Sequence, residues 1–228
     1  MNMDCWICGS DATTGEHIVK RSDLALLFPH VTQAAPVFVQ KQQNRNVEVG
    51  SLRSGKLTHP AKICAKCNNN LTQPHDNAWQ RLSGAMRAHT PKLEPGAAFR
   101  VQRAFPSHTH KSLLQVHLFF LKAFGCMIKS GDVDIPLAPF ANAILQGRAH
   151  PNVYLKFGCG IDEEVAAVSD MWTLSLENGE IVYATWIYQV GRIWVSLMFA
   201  HEGEEREGLI GAWHPRQGTA KLTMADYK

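Results

Sequence analysis

The chain has 228 residues, of which 45% are hydrophobic and 19% charged, with a formal net charge of +3. That length suffices for a packed core in one large domain or two small ones, and the balance excludes a disordered or collagen-like chain. The charge is uneven: residues 1–92 hold eleven Lys or Arg against six Asp or Glu, so this segment carries +5 and mildly favours a polyanionic partner.

The first residues, Met1 to Cys5, form neither a basic nor an apolar leader, and the expected location is the cytoplasm, with no membrane partner. Cys5-Trp6-Ile7-Cys8-Gly9 reads as a metal knuckle, in which the glycine permits the tight turn behind the second thiol. Thr13 to Ile18 reads as a short strand. Ser22-Asp23, followed by Leu24, Leu26, Leu27 and Phe28, predicts a short helix stopped by Pro29. Val37–Val39 and Asn46–Val49 flank a polar turn and read as a hairpin. The second knuckle, Cys64-Ala65-Lys66-Cys67, leads through Asn68 to a cap at Thr72. A helix follows, with Trp79, Leu82, Ala85 and Met86 on one face.

Residues 91–110 carry three prolines, one glycine and a Ser-His-Thr-His run, and read as a linker between an N-terminal domain, 1–90, and a C-terminal domain, 111–228. Helices are expected at about 111–129 and 138–147. The first contains the most apolar stretch of the chain, Val116 to Ile128, which is interrupted by Lys122 and reads as a buried helix rather than a bilayer span. The period then changes to two. Asp170–Leu176, Ile181–Gln189 and Ile193–Phe199 read as antiparallel strands turning at Asn178-Gly179 and near Gly191. Gly208–His214 and Ala220–Met224 are candidate further strands. The fold class expected is α+β. Trp172, Trp186, Tyr188 and Trp194 read as core or sheet-face residues, Cys126 and Cys159 as buried thiols, and Glu202–Glu207 as a solvated acidic loop.

Two Cys-x-x-Cys pairs without a secretory leader point to a metal site rather than to disulfides. Four thiolates, Cys5, Cys8, Cys64 and Cys67, suit a closed tetrahedral Zn²⁺ that contributes to folding. A redox dithiol would sit at a strand-to-helix turn in a βαβ unit, which this segment lacks. The pairs lie far apart in sequence, so zinc would staple a large insert that opens with Glu16-His17 and closes at Cys67-Asn68. Glu16, His17 and Asn68 would then converge. Two hard oxygen donors suit Mg²⁺ or Mn²⁺, and a neutral imidazole can take a proton from water at physiological pH; together they are what metal-assisted phosphodiester cleavage needs.

Cys5-x-x-Cys8-Gly9, Glu16-His17-Ile18 and Cys64-x-x-Cys67-Asn68-Asn69 resemble the HNH (ββα-metal) endonuclease superfamily, in its zinc-stapled form, over roughly residues 3–80. The resemblance implies a DNA endonuclease with His17 as general base and with Glu16 and Asn68 on the catalytic ion. It implies Asp76, eight residues beyond Asn68, as a further ligand. Two departures stand out. Many relatives have Asp where Glu16 stands, and the family's middle Asn, which orients the base, has no equivalent here; His59 lies nearest and is the candidate for that duty. His75 is a further candidate ligand. Lys20, Arg21, Lys62 and Lys66 flank these motifs and read either as phosphate contacts or as a solvated face, and Trp6 as packing over the knuckle. The alternative function is a non-catalytic zinc module that binds nucleic acid or protein. The C-terminal part carries no motif, and substrate choice, a protein partner or homodimerisation are its open roles.

Overall fold

In the computed structural model, which describes residues 4–41, 45–202, 204, 209–218 and 220–226, the first knuckle runs into strand β1 (Thr14–His17) and helix α1 (Arg21–Leu27). β2 (Val37–Lys41) and β3 (Arg45–Val49) form the expected hairpin; its connecting residues 42–44 lie outside the described ones. A single 3-10 turn, Gly55–Leu57, precedes β4 (Thr58–Ile63), which pairs antiparallel with β1. The register slips between Gly15 and His17, a bulge that re-aims side chains exactly where the candidate site begins.

The second knuckle continues as a π-helical turn, Lys66–Leu71, directly into α2 (Gln73–Arg87). Pro74 sits in the first turn of α2, where its missing N–H is harmless. Thr72 occupies the cap position, but its hydroxyl donates backwards to the carbonyls of Cys67 (2.9 Å) and Asn68 (3.2 Å), so it locks the π turn rather than the helix. Trp79, Leu82 and Met86 are buried on the inward face of α2, as their spacing requires.

The span 91–110 contains β5 (Ala98–Arg100), which pairs with β11 (Lys221–Thr223) near the far end of the chain. α3 (Thr109–Gly131) and α4 (Ala138–Gln146) follow as expected. α3 is long and apolar enough to cross a membrane by those two measures, yet 72% of its most apolar window is buried inside the fold, the burial of a core helix.

The larger sheet is built from β6 (Val153–Cys159), β7 (Ala166–Val168), β8 (Trp172–Ser175), β9 (Ile181–Val190), β10 (Ile193–Ala200) and β12 (Ala225–Asp226). Its order is β12-β6-β10-β9-β7, with β8 also on β9; β12 runs parallel to β6 and the other pairs are antiparallel. Gly179 and Gly191 adopt positive φ at the two turns expected to carry them. Of the two further candidate strands, Lys221–Thr223 forms. In the other, Trp213 makes only an isolated bridge to Leu155, and Gly208 lies outside the described residues, as do 203 and 205–207 of the acidic loop. Trp186, Tyr188 and Trp194 are buried, whereas Trp172 is exposed. The fold is mixed α+β.

α3 is the axis of the molecule. One side packs on α2 and β4, the other on the sheet, where Phe119 and Phe120 meet Tyr188 and Phe124 meets Trp186. Trp79 completes the aromatic cluster, stacked on Phe119 at 5.7 Å and edge-on to Phe120 at 4.9 Å. Buried residues from Cys5 to Met224 form one continuous core. At its centre the fully buried Asp23 accepts hydrogen bonds from Trp79 Nε1 (2.7 Å) and the Tyr188 hydroxyl (2.8 Å), with the Arg87 guanidinium 3.8 Å away. The same hydroxyl accepts from the Lys20 N–H at 2.9 Å.

Candidate metal centre and adjoining site

Cys5, Cys8, Cys64 and Cys67 come together, with all four Sγ atoms within 4.8 Å of one another and Cys8 Sγ 3.5 Å from Cys64 Sγ. A tetrahedral zinc with Zn–S bonds of about 2.3 Å places its sulfurs about 3.8 Å apart, so the set fits that ion. Gly9, at φ +76°, makes the turn after the first pair, and the Cys67 N–H donates to Cys64 Sγ at 3.3 Å across the second. Hydrogen bonds from Ser10, side chain first, pull the Cys8 thiol down to about 6, while burial pushes Cys5 and Cys67 up. Four thiolates this close need a cation to balance them. Cys126 and Cys159 are buried, as expected, and neither belongs to the four-sulfur set.

Trp6 lies against α3 rather than only over its own knuckle. A Cβ at Gly125 would fall 2.4 Å from the Trp6 ring, so this glycine is what lets the knuckle touch the helix.

The two ends of the stapled insert do converge. Asn68 Nδ2 donates to Thr14 Oγ1 (3.2 Å) and to the Gly15 carbonyl (3.4 Å), which fixes it against the strand bearing Glu16. His17 Nε2 lies 3.0 Å from the Leu52 carbonyl oxygen. A carbonyl only accepts, so Nε2 carries a proton, and in the neutral ring the lone pair lies on Nδ1. The group that holds the His17 ring is therefore the Leu52 backbone carbonyl, in the loop between β3 and the 3-10 turn, and not the His59 expected from sequence. His59 is buried beside His17 with Nε2 unpartnered among the described residues; burial, and then the neighbouring His17, hold its pKa down at about 4. Among the described residues its ring makes no hydrogen bond with which to orient another group.

Asp76 reaches the same place from α2, but what it meets there is an ammonium. Lys122 of α3 is completely buried and donates to Asp76 Oδ1 (2.9 Å) and Oδ2 (3.1 Å), with Glu16 Oε1 also at 2.9 Å. Its three N–H groups thus face three carboxylate oxygens. Lys20 stands 4.0 Å from Asp76 Oδ1. His75, buried on α2, hydrogen-bonds through Nδ1 to Gln115 Oε1 and lies within reach of the Lys122 and Asp76 charges without a hydrogen bond to either. In this arrangement Glu16 and Asp76 do not fit a divalent ion as well, because a bound cation already fills the gap between them.

Of the other candidate contacts, Arg21, Lys62 and Lys66 are exposed and Lys20 is half-buried. A polar cleft of about 490 Å³ adjoins the Leu52 loop and is lined by Arg53, Lys56 and the acid Glu48, with Gln33, Ser51 and Ser54. Sequence reasoning missed these two cations, which no motif marks. It also missed Lys122 as a site residue, although a lone lysine inside an apolar run is a signal: buried, it must find carboxylates. No protein-family model, curated protein or solved structure matches this chain.

Proposed function

We propose that the chain is a zinc-stapled HNH-type nuclease that hydrolyses phosphodiester bonds in DNA, with His17 as general base. The observation that carries this reading is the anchored imidazole. With Nε2–H held by Leu52, Nδ1 is the basic nitrogen, and it has no partner among the described residues. A strand histidine kept only for stability has no need of an anchored ring with an unengaged nitrogen next in sequence to a carboxylate. Proton removal from water by such a group contributes roughly 10²–10⁴-fold. Lys20, Arg21, Arg53, Lys62 and Lys66 are the proposed phosphate contacts; they would position the duplex without reading its bases. The Mg²⁺ or Mn²⁺ expected on Glu16 and Asn68 requires Glu16 to leave Lys122.

One observation favours the second reading, a non-catalytic zinc module that binds nucleic acid: the Glu16–Asp76 pair is already neutralised from within the chain. A plasmid-nicking assay separates the two. The nuclease reading expects nicking by the zinc-loaded protein that falls at least ~100-fold in His17→Ala, with zinc content and DNA retention unchanged. Equal nicking by His17→Ala would refute the assignment of the base. DNA retention without nicking in Mg²⁺, in Mn²⁺ or in neither would establish the binding module.

A further inference from the structure

Lys122 lies far from the zinc-stapled segment in sequence, and α3 delivers it to the centre of that segment's polar cluster. Its side chain is wholly buried, 6.0 Å from the Phe119 ring centre on one side and within hydrogen-bond distance of three carboxylate oxygens on the other. An ammonium in such a place is tolerable only if it is paired. Burial by itself draws its pKa down, and Glu16 and then Asp76 more than reverse this, so it stays protonated. The pairing is mutual: the same ammonium is what allows two carboxylates from β1 and α2 to approach each other inside the fold.

We propose that Lys122 is the resident cation of the Glu16–Asp76 pair and that its ammonium holds divalent ions off this site. The geometry is exclusive. Mg²⁺ and Mn²⁺ need carboxylate oxygens at close range in a near-octahedral shell, and those oxygens are the ones that Lys122 occupies. A divalent ion beside the retained ammonium would face a unit positive charge about 4 Å away, which weakens its binding more than ~10-fold even at the dielectric constant of water. Lys122 is therefore the residue that sets the divalent-ion affinity of the pair. Asn68 stays outside this lock, since its Nδ2 is held by β1 and no hydrogen bond joins it to Lys122.

This inference concerns the ion site of the function proposed above, but it is tested by binding rather than by cleavage, so either can fail alone. The probe is Mn²⁺ itself, added to the zinc-loaded full chain and followed by loss of the free-ion electron paramagnetic resonance signal. Lys122→Met, which keeps the length and removes the charge, is expected to bind one Mn²⁺ at least ~10-fold more tightly than the parent. The double variant Glu16→Gln/Lys122→Met is expected to lose that gain. Equal affinity in parent and Lys122→Met overturns the proposal, and so does a gain that survives in the double variant. Should Lys122→Met fold only with Mn²⁺ present, the ion has replaced the ammonium, as proposed. Should it fail to fold in any condition, Glu16→Gln in the parent decides. With Lys122 in place this change should leave Mn²⁺ affinity within about twofold, and a tenfold loss would show that the site accepts the ion despite Lys122.

Discussion

Tyr188→Phe removes one oxygen atom from the centre of the molecule. The tyrosine is 1% exposed, and its hydroxyl joins Asp23 Oδ2 (2.8 Å) to the Lys20 N–H (2.9 Å). Burial first, and then the Asp23 charge, hold the phenol well above its ordinary range, so it is a neutral donor at every pH in which the protein would be handled. Losing a hydrogen bond to a charged acceptor costs about 1.5–3 kcal/mol, and stranding the half-buried Lys20 amide adds about 1 kcal/mol. The expected loss is about 3 kcal/mol. For a chain of this length each kcal/mol moves Tm by ~2–4 °C, so zinc-loaded Tyr188→Phe should melt ~6–12 °C below the parent by scanning calorimetry, with its zinc content unchanged. A shift under ~2 °C would mean that the Asp23 node is replaced by water or by Arg87 at little expense, and the reasoning would fail.

Two further outcomes follow from the cluster and from the buried histidines. Elemental analysis of the purified chain should find one zinc, and Cys64→Ser should release it and unfold the N-terminal segment; a Cys64→Ser protein that folds and keeps its metal would refute the closed four-sulfur site. His59 and His150 are both held near 4 by burial first, reinforced by His17 and His214 respectively. Above about pH 6.5 neither the folded nor the unfolded chain protonates them. Between about 6.5 and 4 only the unfolded chain does, so each should withdraw up to about 3 kcal/mol of stability as pH falls through that window, and none below it. Urea midpoints measured at pH 7 and pH 4.5 check this, and equal midpoints would contradict it.

The elements that were legible are those whose signals are local. The knuckles, the β2–β3 hairpin, the inward face of α2 and the β9–β10 hairpin follow from spacing and turn residues alone. β4 did not, because Pro60 interrupts its pattern; the strand survives since Pro60 is exposed in a two-stranded sheet, where a missing donor is tolerated. β6 alternates only over Val153–Phe157, where Tyr154 puts an apolar ring on the outer face, and ends in buried Gly158 and Cys159, so its sequence pattern is too short and too apolar to mark it. At the site, Glu16 and Asn68 were placed by one geometric premise, that the two knuckles share an ion. Leu52 was out of reach because a backbone carbonyl leaves no trace in residue type. Lys122 was visible as an anomaly, but naming its partners required the packing of α3 across β1 and α2.

The Asp23 node bears on how this chain can be rearranged. Its acceptor lies on α1, its donors on α2 and β9, and its carboxylate is 0% exposed, so the zinc-stapled segment and the large sheet each end in half of one polar junction. A chimera that grafts residues 1–90 onto another scaffold would carry Asp23 and Trp79 without Tyr188, and the reciprocal graft would bury a phenol with nothing to receive its proton. The knuckles look like a portable cassette, but exchange is permitted only between chains that already share an acid and a tyrosine at these two places. Recombination inside this fold has to move both sides of the junction together.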